Sequence, residues 1–286
     1  MLIHHLILTY TRALQVALKF VAIKIKLANP NQLRIVAYHD IPPEKEGAFF
    51  DQLKFLQEGW NIISPDIFEK MVTGKTPIKG RNLLFTFDDG FYSNYVIAEK
   101  YLNPMGVKAI FFVISDFVKI QDFSKARKFI AKNIMLSTDL DDIPKHCRNM
   151  QWQDLDTLLQ QGHTIGCHTK SHARLSNITS SKELKYEILS CSSEILDNLD
   201  VKVRHFAYPF GDSSSFSKEA CKIANNHFSF VYSGVRGENR ENSKATIVFR
   251  DAAGSPIFSN KLLSVFLDGF IDFRYKKSRN KLEKWR

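Results

Sequence analysis

Three short stretches carry residue types that could do chemistry. In LLFTFDDGFYSN, residues 83–94, an apolar run ends in two carboxylates, Asp88 and Asp89, followed by a glycine. A run of this kind buries itself, so paired charge at its end marks a rim where a reaction could take place. Asp and Gly also make ordinary turns, so the pair alone decides nothing. The second stretch, GHTIGCHTKSH at residues 162–172, holds His168 and His172. Their spacing of four puts two imidazoles on one face of a turn or short helix, where both can point at one ion. With an aspartate from a neighbouring strand end they form a two-histidine, one-carboxylate set that leaves positions open for water and substrate, as a catalytic metal site requires. His163, five residues earlier, reads as a packing or hydrogen-bonding residue. The third stretch, HFAYPFG at residues 205–211, puts Tyr208, Pro209 and Phe210 at another strand end.

The elements that must position these groups alternate along the chain. Runs rich in β-branched and aromatic residues predict strands at 34–40, 82–89, 107–113, 163–168, 204–209, 227–233 and 245–251. Helical patterns fall between them near 47–58, 64–73, 93–103, 152–161, 181–198, 215–226 and 260–274. Strands separated by helices imply a parallel sheet, because parallel neighbours need crossovers; closed on itself, the sheet is a barrel. Reactive groups of such barrels gather at the carboxyl ends of the strands, where this chain reads Tyr38-His39-Asp40, Asp88-Asp89-Gly90, His168-Thr169, Tyr208-Pro209-Phe210 and Arg250-Asp251. Residues 115–150 read as a long irregular insertion that could cover a site.

Composition sets the wider bounds. With 286 residues, 44% of them hydrophobic, the chain can bury a substantial core. Its four cysteines, 147, 167, 191 and 221, show neither disulfide-scaffold density nor a C-x-x-C spacing, which fits a reducing compartment. The net charge of +10 is concentrated at the ends: residues 1–30 carry +4, residues 261–286 carry +5, and the middle keeps only +1. That placement suits termini near an anionic surface rather than a nucleic-acid groove lined from many parts of a fold. The uncharged runs of the first segment fall short of the roughly 20 residues that span a bilayer. Arg12 also breaks the apolar region a signal peptide needs, so an amphipathic interfacial helix is expected there. Three regions follow: a basic N-terminal helix at 1–30, a barrel at 31–258, and a C-terminal helix with a basic tail at 259–286. The Leu/Phe stripe of that last helix has ordinary core spacing.

TFDDG, HTKSH and FAYPFG, in this order, resemble the first three motifs of the polysaccharide deacetylases, carbohydrate esterase family four, also called the nodulation-protein-B homology family. RIVAYHDI resembles the opening strand of its surface-polysaccharide branch, and the resemblance covers roughly residues 33–255. It implies a distorted seven-stranded parallel β/α barrel. It also implies Asp88 as general base, with Asp89, His168 and His172 holding one divalent ion, expected to be zinc, which acidifies water and polarises an amide carbonyl. Tyr208, Pro209 and Phe210 are implied for substrate and oxyanion binding, the last through its backbone N–H. Two positions depart from the pattern. The motif arginine that orients the base is replaced by Ala207; Arg204 and Arg250 are candidate substitutes, and Arg250 is preferred because it ends a strand at the rim. The family's late histidine has no match after Asp251. His227, the last histidine of the chain, reads as the start of a strand at the wrong end of the barrel, which leaves His39 as the candidate acid.

The expected activity is removal of the N-acetyl group from an amino sugar of a surface polysaccharide or its lipid-linked precursor, in the cytoplasm and in peripheral contact with the inner face of the membrane. The alternative from another class is a catalytically silent carbohydrate-binding or scaffold protein, which would not need Asp88, Asp89, His168 and His172 together. An aspartyl-phosphate phosphatase fails, since its nucleophile and acid lie two residues apart and it leaves the histidines unused.

Overall fold

The computed structural model describes residues 30–136, 138–241, 246–252 and 259–285. The N-terminal helix expected within residues 1–30 therefore lies almost wholly outside the described residues. Among the described residues, nine strands form one all-parallel sheet: β1 Gln32–Tyr38, β2 Asn61–Ile62, β3 Arg81–Phe87, β4 Ala109–Val113, β5 Thr164–Cys167, β6 His205–Ala207, β7 Phe230–Tyr232, β8 Thr246–Val248 and β9 Asp251–Ala252. Their order is β8-β7-β6-β5-β4-β3-β1-β9, with β2 paired to β3. The extra strands have a simple origin. β2 is a two-residue addition, and the strand expected at 245–251 is broken between Val248 and Asp251. Its first half pairs with β7 and its second with β1, so this one segment joins the two edges of the sheet. Phe249 and Arg250 lie in that seam.

The strands are apolar on both faces because both are covered. Alternate residues Leu33, Ile35, Leu84, Ile110, Phe112, Phe230, Tyr232 and Val248 pack with the helix Pro65–Val72 into an inner core. The opposite face, including Val36, Tyr38, Leu83, Phe85, Phe87, Phe111 and Ile165, packs against the outer helices. The period of two carries straight into the chemistry: Leu84, Thr86 and Asp88 share a face, so the inward line of β3 ends in a carboxylate.

Helix starts follow local side-chain chemistry. The hydroxyls of Ser64, Ser180, Ser217 and Ser259 each accept from the backbone N–H three residues on, which satisfies a donor that the first turn leaves unpaired. The Ser217 cap explains why the helix expected from 215 starts at Lys218. That helix runs to His227, so His227 closes a helix and does not open a strand; its Nε2 meets Ser192 Oγ at 3.1 Å. The stretch 115–150 is also more regular than expected. It contains helices Ser115–Val118 and Phe123–Phe129, with a wider helical turn over Ile130–Ile134. The C-terminal pattern expected over 260–274 ends at Leu267 and resumes as the helix Lys276–Glu283.

Candidate active site

The turn after β3 shows why two adjacent carboxylates differ. Asp88 N–H donates to Tyr38 O at 2.9 Å, so Asp88 still belongs to the ladder. Asp89 and Gly90 then take left-handed backbone, with φ of 71° and 86°. Aspartate is among the few L residues that adopt this region readily. The reversal turns Asp89 away from the barrel interior toward the loop after β5, while Asp88 stays in line.

His168 follows β5, and its Nδ1–H donates to Ala207 O at 2.8 Å; that of His172 donates to Asn133 O at 2.6 Å. These bonds leave both Nε2 lone pairs facing one point. The linking segment is a strained loop and not a helical turn: Thr169 and His172 have φ of 65° and 66°. Positive φ at a β-branched residue is costly and persists only where the surroundings enforce it. Here Thr169 Oγ1 accepts from His172 N–H at 3.0 Å and fixes the loop.

Asp89 Oδ1 lies 3.5 Å from His168 Nε2 and 3.4 Å from His172 Nε2. These separations are too long for good hydrogen bonds, and Asp89 Oδ1 is buried with no hydrogen-bond partner. Ligand atoms bonded at about 2.0–2.1 Å to one tetrahedral ion lie roughly 3.3 Å apart. An orphaned carboxylate oxygen facing two imidazole nitrogens at that separation fits a divalent ion of the zinc class. Burial pushes the Asp89 carboxyl up, but the two histidines outweigh it and hold it below the usual carboxylate range.

Arg250 stands where the Ala207 vacancy would matter. From the seam its guanidinium reaches Asp88 with two bonds, Nη1 to Oδ1 at 2.6 Å and Nη2 to Oδ2 at 2.8 Å, while Nε donates to Ser233 O at 3.0 Å. Both partners are almost wholly buried. Burial raises the Asp88 carboxyl, yet Arg250, with His168 and His39, keeps it below its ordinary value. Arg204 points elsewhere: it is half exposed and pairs with Glu69 on the helix Pro65–Val72.

His39 Nε2 lies 4.0 Å from Asp88 Oδ2 with its side chain 49% exposed, open to a substrate at the rim. Phe210 has φ of 64°, and its ring packs 4.8 Å from that of His172. Beside them a cleft of about 300 Å³ is lined by Asn133, Leu136, His172, Arg174 and Phe210. Tyr208 corrects the expectation: its side chain is buried, stacked on Phe216 with its hydroxyl against Cys221 Sγ, so it cannot touch a substrate. Pro209 is buried as well. His163 is a packing residue, accepting from Ala109 N–H through Nδ1 and lying edge-on to Phe111. Sequence reasoning missed the carbonyls of Ala207 and Asn133, which aim the two imidazoles. It also missed a second cluster, Asp40, His146 and Cys147, so Asp89, His168 and His172 are not the sole ligand-competent set.

Residues 75–228, more than half of the chain, match the family model described as polysaccharide deacetylase. The Bacillus subtilis (strain 168) protein YxkH, assigned by name to the polysaccharide deacetylases, is 24% identical over 209 residues, 70% of this chain. This chain spans 63% of that relative's length. Among solved structures, IcaB from Ammonifex degensii matches with a TM-score of 0.67 and 21% identity over 83% of this chain and 97% of the other. The Streptococcus pyogenes deacetylase PplD, solved with acetate, matches with a TM-score of 0.64 and 20% identity over 84% and 99%. Both likenesses establish the shared fold.

Proposed function

Given that the chain belongs to the polysaccharide deacetylase family, we propose that it is a metal-dependent N-deacetylase acting on an amino sugar of a surface polysaccharide or its lipid-linked precursor. The observation that carries this reading is the division of labour between neighbouring carboxylates: Asp89 Oδ1 faces two imidazole nitrogens without a hydrogen bond, while Asp88 is held ionised by Arg250. Asp89, His168 and His172 would hold the ion. When bound, a divalent ion supplies Lewis acidity, which polarises the amide carbonyl and acidifies water.

Asp88 takes the proton from the attacking water, and Arg250 keeps it charged and oriented for that step. The backbone N–H of Phe210, the group the third motif implies for this role, would stabilise negative charge developing on the carbonyl oxygen. His39, exposed at the rim and 4.0 Å from Asp88, delivers a proton to the departing amine as the carbon–nitrogen bond breaks. Acetate and a free amino sugar result.

Mass spectrometry of candidate glycans and lipid-linked sugars incubated with zinc-loaded protein tests this directly. A mass loss of about 42 reports acetyl removal and about 28 formyl removal, both by the same metal-assisted hydrolysis. A zinc-loaded, folded protein that binds these sugars and cleaves none of them would favour the silent binder.

The location proposed is the cytoplasmic face of the membrane, reached through the basic ends. The support is residues 1–28, apolar with four cations and no acid, and a C-terminal segment where exposed Phe273 accompanies Arg274, Lys276, Lys277 and Lys281. Among the described residues no helix is long and apolar enough to cross a membrane. Each basic residue near anionic lipid contributes about 1 kcal/mol. Co-sedimentation with anionic vesicles should therefore weaken at high salt and fall sharply when residues 1–28 are removed. Equal sedimentation of the truncated chain would retire the membrane contact and leave the deacetylase reading intact.

A further inference from the structure

Asp40, His146 and Cys147 converge just beyond His39, where no step of the proposed reaction uses them. Asp40 lies two residues beyond β1, while His146 and Cys147 lie more than a hundred residues later, near the end of the stretch 115–150, whose Asn133 carbonyl meets His172. His146 Nε2 lies 2.7 Å from Asp40 Oδ2, and Cys147 Sγ lies 3.6 Å from the same oxygen and 3.5 Å from His146 Nε2. Asp40 Oδ1 is fixed by Ser93 Oγ at 2.7 Å, so the carboxylate is already oriented. Cys147 is buried, while His146 keeps 22% of its side chain exposed and opens the cluster to solvent.

Burial, followed by the charge of Asp40, pushes the Cys147 thiol up to about 12, which favours a resting thiol over a nucleophilic thiolate. A metal can displace that proton. A thiolate sulfur at about 2.3 Å and an imidazole nitrogen or carboxylate oxygen at about 2.0 Å from one tetrahedral ion lie roughly 3.5 Å apart. The two sulfur separations already have that value. Only the Nε2 to Oδ2 distance, now closed by a hydrogen bond, must open.

We propose that Asp40, His146 and Cys147 form a second, accessory site for a borderline-soft divalent cation of the zinc and cobalt class. Magnesium and calcium are disfavoured by the sulfur and nitrogen ligands. Binding releases the Cys147 proton to solvent and requires the proton on His146 Nε2 to move to Nδ1, so that the His146–Asp40 hydrogen bond is replaced with two metal bonds. Water completes the coordination from the exposed side. The ion ties the end of that stretch to the segment after β1 that carries His39.

Cobalt(II) titration of the metal-free full chain separates this site from the Asp89-His168-His172 cluster, because only this site offers a thiolate. Two equivalents should bind, the weaker one with a near-ultraviolet thiolate-to-cobalt charge-transfer band. Cys147→Ser should remove that band and one equivalent while leaving the visible cobalt spectrum of the other site. His146→Gln, at a partly exposed position that folding tolerates, should weaken the second equivalent at least about tenfold. His168→Ala should do the reverse, keeping the thiolate band. Saturation of folded wild-type protein without a thiolate band would overturn the proposal, as would a band that survives Cys147→Ser.

Discussion

Asp88→Asn is expected to keep the ion held by Asp89, His168 and His172 and lose turnover by roughly 10²- to 10⁴-fold, whereas Asp89→Asn and His168→Ala should lose that ion and turnover together. The contrast follows from backbone direction. Asp88, the first residue after β3, continues its inward line, and both its oxygens are engaged by Arg250. Asp89 has passed into left-handed backbone and turns its Oδ1 to the two imidazoles. An amide at position 88 preserves shape and leaves the three ligand atoms where they are, but it cannot accept the water's proton. An amide at position 89 takes away the anionic ligand, and alanine at 168 takes away one imidazole. Elemental analysis of the purified variants, paired with turnover measured on the same samples, checks the division. Equal metal loss in Asp88→Asn and Asp89→Asn would contradict it.

The strands were legible because each is a short apolar run bounded by polar or turn-forming residues. What could not be read was the break in the last one. The run 245–251 looks continuous, yet in the barrel its halves serve opposite edges, and which strand becomes the neighbour is a property of closure that no local pattern encodes. The stretch 115–150 is a different case. Ala126 and Ile130, four apart and both buried, were a helical signal within 123–134, hidden by the polar residues on either side.

The site divides in the same way. Asp88, Asp89, His168 and His172 could be picked out because carboxylates and imidazoles at strand ends are chemically distinctive. The groups that aim the imidazoles, Ala207 O and Asn133 O, are backbone carbonyls, which any residue possesses. The accessory cluster was invisible for want of proximity along the chain, since Asp40 meets His146 only after the fold brings the end of the stretch 115–150 back beside β1. Tyr208 erred in the opposite direction. Its neighbourhood in the motif suggested contact with substrate, but alternation along β6 sends its ring into the outer core with Phe206 and Phe216.

Arg250→Ala should lower turnover roughly 10- to 100-fold with metal occupancy unchanged, and should cost about 3–5 kcal/mol of stability because it leaves the Asp88 charge buried and unpaired. Stability and turnover can be separated. Denaturant unfolding reports the first, and turnover measured well below the unfolding transition, on metal-quantified samples, reports the second. Arg250→Lys refines the test. A lysine restores a positive charge but not the two parallel bonds to Asp88 or the bond to Ser233 O, so it should recover more of the stability than of the turnover. Arg204→Ala is the control. Its guanidinium is half exposed and bound to Glu69 at the opposite end of the barrel, where a surface pair contributes at most about 1 kcal/mol and touches nothing near Asp88. Turnover falling further in Arg204→Ala than in Arg250→Ala would mean that the missing motif arginine is compensated from the other strand. The seam would then close the barrel without orienting the base.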